Sequence, residues 1–169
     1  MLRLRSATAI IAIVTVAVSA MAILFGGIEW SAVFGGFIPA RMTNQLLVPG
    51  AVPAVLTPWT SALLHGGWLH LTVNMLVLMF VGAQVERVVG ASALIFAYLV
   101  GALVACAAQF AVDPGSTVPL VGASGAISAL FGLYALFFGR PKQDHGLGLV
   151  PGKRVNRRDR GAEAVSRIR

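Results

Sequence analysis

Two clusters of polar residues sit inside otherwise apolar sequence, and both are of types that could do chemistry. The first is His65-Gly66-Gly67-Trp68-Leu69-His70, followed by Asn74. His70 and Asn74 are spaced i, i+4, so a helix places them on one face. An imidazole and a carboxamide stacked there can donate hydrogen bonds into the space beside the helix. The second cluster is Gly122-Ala123-Ser124-Gly125. Ser124 opens an apolar segment, and a helix N-terminus offers free backbone N–H groups and a positive dipole end. That is a good environment for a developing oxyanion.

Each cluster alone has a plainer explanation. His70 and Asn74 could be interhelical hydrogen-bonding groups or headgroup contacts. Gly122 with Ala126, and Ser124 with Ser128, are small-xxx-small pairs typical of helix packing. The second cluster is not the elbow of soluble hydrolases, because Ala126 stands where that motif needs its last glycine. A serine and a His/Asn pair at matched depth on two spans are harder to explain as packing.

The elements that must position these groups are membrane spans. The chain has 169 residues, 57% hydrophobic and 11% charged, with a mean hydropathy of +0.84. A soluble domain carries about 25% charged residues, so lipid is the expected solvent. Four apolar stretches are read as spans, at about 7–25, 69–85, 92–112 and 122–138. The fold class is therefore an all-α membrane protein, one compact bundle over residues 1–140, with a basic tail at 141–169 expected to be disordered. Cys106, the single cysteine, excludes an intrachain disulfide and reads as a small buried residue.

The net charge is +7, and nine of the thirteen Lys and Arg residues lie between Arg140 and Arg169. On a soluble protein such a tail would point to nucleic acid. On a membrane protein it marks the cytoplasmic side, so no nucleic-acid partner is expected. Arg3 and Arg5 put the N-terminus inside as well, and the outer loops hold only Arg41. Both termini are thus expected in the cytoplasm, with the cell membrane as the location. The first stretch also has features of a cleaved signal peptide, with small residues at Ala20 and Ala22, but its apolar run is longer than a signal core. The first outer loop carries Trp30, Phe34, Phe37, Trp59 and four prolines with little charge, as a segment lying at the headgroups would.

With these motifs in order, the sequence resembles the rhomboid family of intramembrane serine proteases. The matching residues are His65, His70 and Asn74 in His-x4-His-x3-Asn; Gly82, Glu86 and Gly90 in Gly-x3-Glu-x3-Gly; and Gly122-Ala123-Ser124-Gly125. The resemblance covers about residues 37–138. It implies that Ser124 is the nucleophile and that His70 and Asn74, with the Ser124 N–H, hold the oxyanion. His65 and Gly125 would support the site, and Gly122 would let the loop approach closely. Gly82, Glu86 and Gly90 would be structural. Family members cleave transmembrane proteins in or beside a span, without metal or cofactor. The lipid bilayer and a transmembrane substrate or client are the implied partners.

The family core has six spans, and its general base is a histidine on the sixth. No counterpart of that base is found here. His145 follows a helix of roughly 25 Å, which puts it on the far side of the bilayer from Ser124. His70 has the oxyanion role, and His65 reads as nearer the outer mouth. The chain is thus expected to lack the last two spans and to be nearly inactive alone, since a serine hydroxyl needs a base. Three readings follow: a truncated endopeptidase, a non-catalytic relative that binds membrane helices, or an unrelated small membrane scaffold or transporter fragment. The third leaves the ordered motifs unexplained.

Overall fold

The computed structural model describes residues 6–139. Arg3, Arg5, His145 and the basic tail lie outside them. Ser6 caps the first helix, its hydroxyl accepting the Ala9 N–H at 3.2 Å. That helix, α1, spans Ala7–Leu24. It is organised inside out. Thr8, Thr15 and Ser19 are fully buried, while Ile13 and Met21 face outward. A bundle solvated by lipid can afford apolar side chains outside and hydroxyls within.

The segment after α1, read from the sequence as a loop lying at the headgroups, contains three short helices. They are α2 (Ile28–Gly35), α3 (Pro39–Met42) and α4 (Thr57–Thr60), with 3-10 turns at Ala54–Leu56 and Ser61–Leu63. Pro39 and Pro58 sit in the first turns of α3 and α4, where a missing N–H costs nothing. Trp30 and Phe34, one turn apart on α2, stack at 4.3 Å.

The second span is one helix in three parts: α5 (Trp68–Val77), a π-helical turn (Leu78–Gly82) and α6 (Ala83–Val89). It runs past the expected end at residue 85, so Glu86 and Arg87 lie in its last turn rather than in a link. It stops at Gly90, whose φ of +83° suits only glycine well. The third span is α7 (Ala91–Val112), and the fourth helix is α8 (Ser124–Phe138). α1, the Trp68–Val89 helix and α7 are long and apolar enough to cross a membrane, and α8, at 15 residues, is a shorter apolar helix. α8 starts later than residue 122 because Gly122 has φ +119°, which no helix accommodates. Among the described residues there is no strand, only an isolated bridge between Phe37 and Leu120.

Two features hold the bundle. Leu78, Val85, Leu94 and Leu130 are almost wholly buried and form its apolar centre. Around them, glycines allow close approach. A methyl at Gly101 would lie 2.6 Å from the Ala129 Cβ, and one at Gly125 would overlap the Ala105 Cβ, so α7 and α8 pack nearly backbone to backbone. A methyl at Gly82 would lie 2.8 Å from the Thr8 Cγ2.

That last contact brings α1 onto Glu86. Its carboxylate accepts the Ala7 N–H at 2.8 Å and the Thr8 N–H at 2.9 Å, and it also takes the Thr8 hydroxyl. Glu86 thus caps the first turn of a helix from another part of the chain, where orphan donors and the positive dipole end both favour an anion. Glu86→Ala should lower the stability of the bundle by roughly 2 kcal/mol or more, since hydrogen bonds to a charged group are lost together. Glu86→Gln, which keeps one acceptor oxygen, should cost less. Reversible unfolding of the chain in mixed micelles would measure both.

Candidate active site

The site is built by pinning an irregular segment against another. Residues 113–123 link α7 to α8, and four backbone contacts fix them to the segment between α1 and α5. Phe37 and Leu120 exchange both N–H groups, at 3.0 and 2.8 Å. The Ala40 N–H donates to the Ser116 carbonyl at 3.0 Å, and the Gly122 N–H to the Ser61 carbonyl at 2.9 Å. The Ala123 N–H donates to His65 Nε2 at 3.4 Å. The start of α8 is therefore located by residues 37–65, not by its own helix.

Ser124 is the first residue of α8, and its side chain is exposed at the edge of the bundle. The first helical bond there runs from the Ile127 N–H to the Ala123 carbonyl. The amides just before Ile127 sit at the positive end of the helix. The Ser128 hydroxyl, one turn on, bonds back to the Ser124 carbonyl at 2.8 Å.

His70 meets this loop directly. A Cβ on Gly122 would lie 2.7 Å from the His70 Cε1, 2.8 Å from its Nε2 and 3.9 Å from the Asn74 Nδ2. Only a residue without a side chain fits, and the same glycine supplies the left-handed φ. The sequence-derived trio of His70, Asn74 and Gly122 is thus brought together two residues before Ser124. Asn74 is buried and gives one amide N–H to the His70 carbonyl at 3.1 Å. Its other N–H is the one available to a ligand.

His65, read from the sequence as lying nearer the outer mouth, has a buried ring. It is 2% exposed, edge-on to His70 at 4.9 Å between ring centres. Its Nδ1 lies 2.9 Å from the Ser19 hydroxyl. Both ring nitrogens are occupied, so His65 supports the loop and is not free to take a proton from Ser124. Burial, with a smaller effect of nearby His70, pushes its pKa down to about 4. Gly82, Glu86 and Gly90 lie at the other end of the second span, and Gly125 packs on α7. Among the described residues no group of His, Cys, Asp and Glu side chains converges as metal ligands would.

Sequence reasoning missed several contributors. Ser19 was visible as a polar residue in an apolar span, a signal for function or hydrogen bonding. Ser61 and Gln109 were not singled out. With Cys106 and Ser124 they line a cavity of about 140 Å³ beside the start of α8. That is room for a few waters at about 30 Å³ each.

Comparison with known proteins gives the family of the chain. The family model of the Rhomboid domain matches residues 54–151, more than half of the chain, and the chain belongs to this family. It is also similar to Rhomboid protease GluP of Bacillus subtilis (strain 168), at 37% identity over 89 residues. The match covers 53% of this chain and 16% of that relative, so the chain spans a small part of its length. No solved structure matches the chain. With the apolar helices, family membership makes this an integral membrane protein.

Two outcomes are expected. Gly122→Ala should cost roughly 1–3 kcal/mol through strain and the clash with His70, and should move the His70 ring resonances. His65 binds a proton less readily folded than unfolded, so the unfolded chain holds more protons between pH 6.5 and about 4. Stability should therefore fall as pH drops through that window, and His65→Asn should flatten the slope in a melting series.

Proposed function

We propose that this chain carries the nucleophile and oxyanion part of a rhomboid-type intramembrane serine endopeptidase acting on transmembrane substrates. Ser124 attacks the scissile carbonyl. The His70 imidazole, the free Asn74 N–H and the Ser124 amide stabilise the oxyanion. The observation that carries this reading is the fit of Gly122 against the His70 ring, with Asn74 beside it, at the mouth of α8. Nothing else about Gly122 calls for so close an approach.

The reaction also needs a base on Ser124. The described histidines are His65, tied at both nitrogens, and His70, given to the oxyanion. A base has to come from a further helix. Ser124 and Ser128 lie exposed on α8, and the α7/α8 groove beside them is lined by Gly101, Ala105, Gly125 and Ala129. Small residues of this kind let another helix come close. Residues 6–139 alone are thus nearly inactive. The open groove also favours a second reading, a non-catalytic relative that seats a client helix there. Both readings place the termini in the cytoplasm and the Ser124 end outside, in the cell membrane, by the distribution of Lys and Arg.

Purified chain in lipid with a model transmembrane substrate tests this directly. Cleavage should be roughly a million-fold below that of a complete enzyme, the scale of losing a serine protease's histidine. It should rise when a fragment bearing two further spans and a histidine is added, and Ser124→Ala should abolish the gain. Rescue that ignores Ser124→Ala would remove the nucleophile assignment. A bound client helix without cleavage under any addition would favour the second reading.

A further inference from the structure

Ser19, on α1, lies far along the chain from Ser124 but one hydrogen-bonded group away from its loop. Its side chain is fully buried. The hydroxyl sits 2.7 Å from the Leu63 carbonyl and 2.9 Å from His65 Nδ1. A carbonyl can only accept, so the single hydroxyl proton goes to Leu63. The Ser19 oxygen then faces Nδ1 as an acceptor, and Nδ1 must carry the ring proton. Nε2 is left with a lone pair, which is what the Ala123 N–H requires.

The opposite tautomer would fail at both ends. An Nε2–H would meet the Ala123 N–H, and the Nδ1 lone pair would meet an oxygen whose proton is already used. Ala123 is wholly buried, so its amide has no water to turn to. Its carbonyl accepts the first helical bond of α8, and the next residue is Ser124. The chain of bonds thus runs from the first span, through one ring, to the peptide that starts the fourth helix.

We propose that Ser19 is a positioning residue for the reacting serine: it locks His65 in the Nδ1–H form, and that form holds Ala123 and the start of α8 against His70. The proposal rests on Ser124 being the nucleophile for its catalytic meaning, but not for the linkage itself. Ser19 touches no reacting atom and acts only through His65.

The test is nitrogen-15 NMR of the full chain in lipid nanodiscs with labelled histidine and alanine. Wild type should show His65 as one neutral Nδ1–H tautomer. Ser19→Ala should give mixed tautomers and speed exchange of the Ala123 amide several-fold, the scale of one lost hydrogen bond. Thr15→Ala removes another buried hydroxyl from α1, one that makes no bond to His65, and should change neither signal. If Ser19→Ala does not fold, Ser19→Cys, whose sulfur is a weak acceptor, should show the same loss of tautomer bias. An unchanged tautomer and unchanged Ala123 exchange in the folded variant would overturn the proposal. Labelling of Ser124 by a fluorophosphonate, in the presence of the complementing fragment, separates the two claims. Tautomer loss with no labelling of wild type at Ser124 would sink the nucleophile reading and keep the linkage; labelling with no tautomer change would do the reverse.

Discussion

Irregular backbone inside a membrane protein must find its own hydrogen-bond partners, because lipid offers none. That constraint organises the end of the bundle that holds Ser124. The chain leaves regular helix in two places there, after α1 and before α8. Each stretch satisfies the other: Phe37 with Leu120, Ala40 with Ser116, Gly122 with Ser61, Ala123 with His65. The price of non-helical backbone at this level is mutual dependence, and its result is a serine held at one place by distant sequence.

The opposite end follows the same logic with a different group. The free N–H donors of α1 meet a carboxylate from the second span, so the two helices are joined at their ends by charge-assisted bonds. The bundle is closed by Glu86 and Gly82 at one end and by His65, His70 and Gly122 at the other. Between them the contacts are apolar, and Leu78, Val85, Leu94 and Leu130 need no direction to pack. Directional bonds at the two ends set register, and the apolar middle supplies contact area.

Much of this was legible in the residue order. The four apolar segments and the shared face of His70 and Asn74 follow from spacing and residue type, and the close approach at Gly122 was implied by the resemblance to the rhomboid family. The three short helices of the segment between α1 and α5 were not legible, because prolines and aromatics in a stretch of little charge carry no period. The burial of His65 was not legible either, because Ser19 and Ala123 enclose its ring from elements remote in sequence. The role of Ser19 needed a proton count across three residues, which no linear pattern encodes.

The π-helical turn at Leu78–Gly82 divides the second span between two jobs. One surplus residue in a helix rotates everything beyond it by roughly 100° relative to a regular continuation. On this one rod His70 and Asn74 face the loop before α8 while Gly82 and Glu86 face α1, and the turn sets the angle between the two pairs. Removing a single residue from that turn would leave a more regular helix, yet point one of its two working faces at the wrong neighbour.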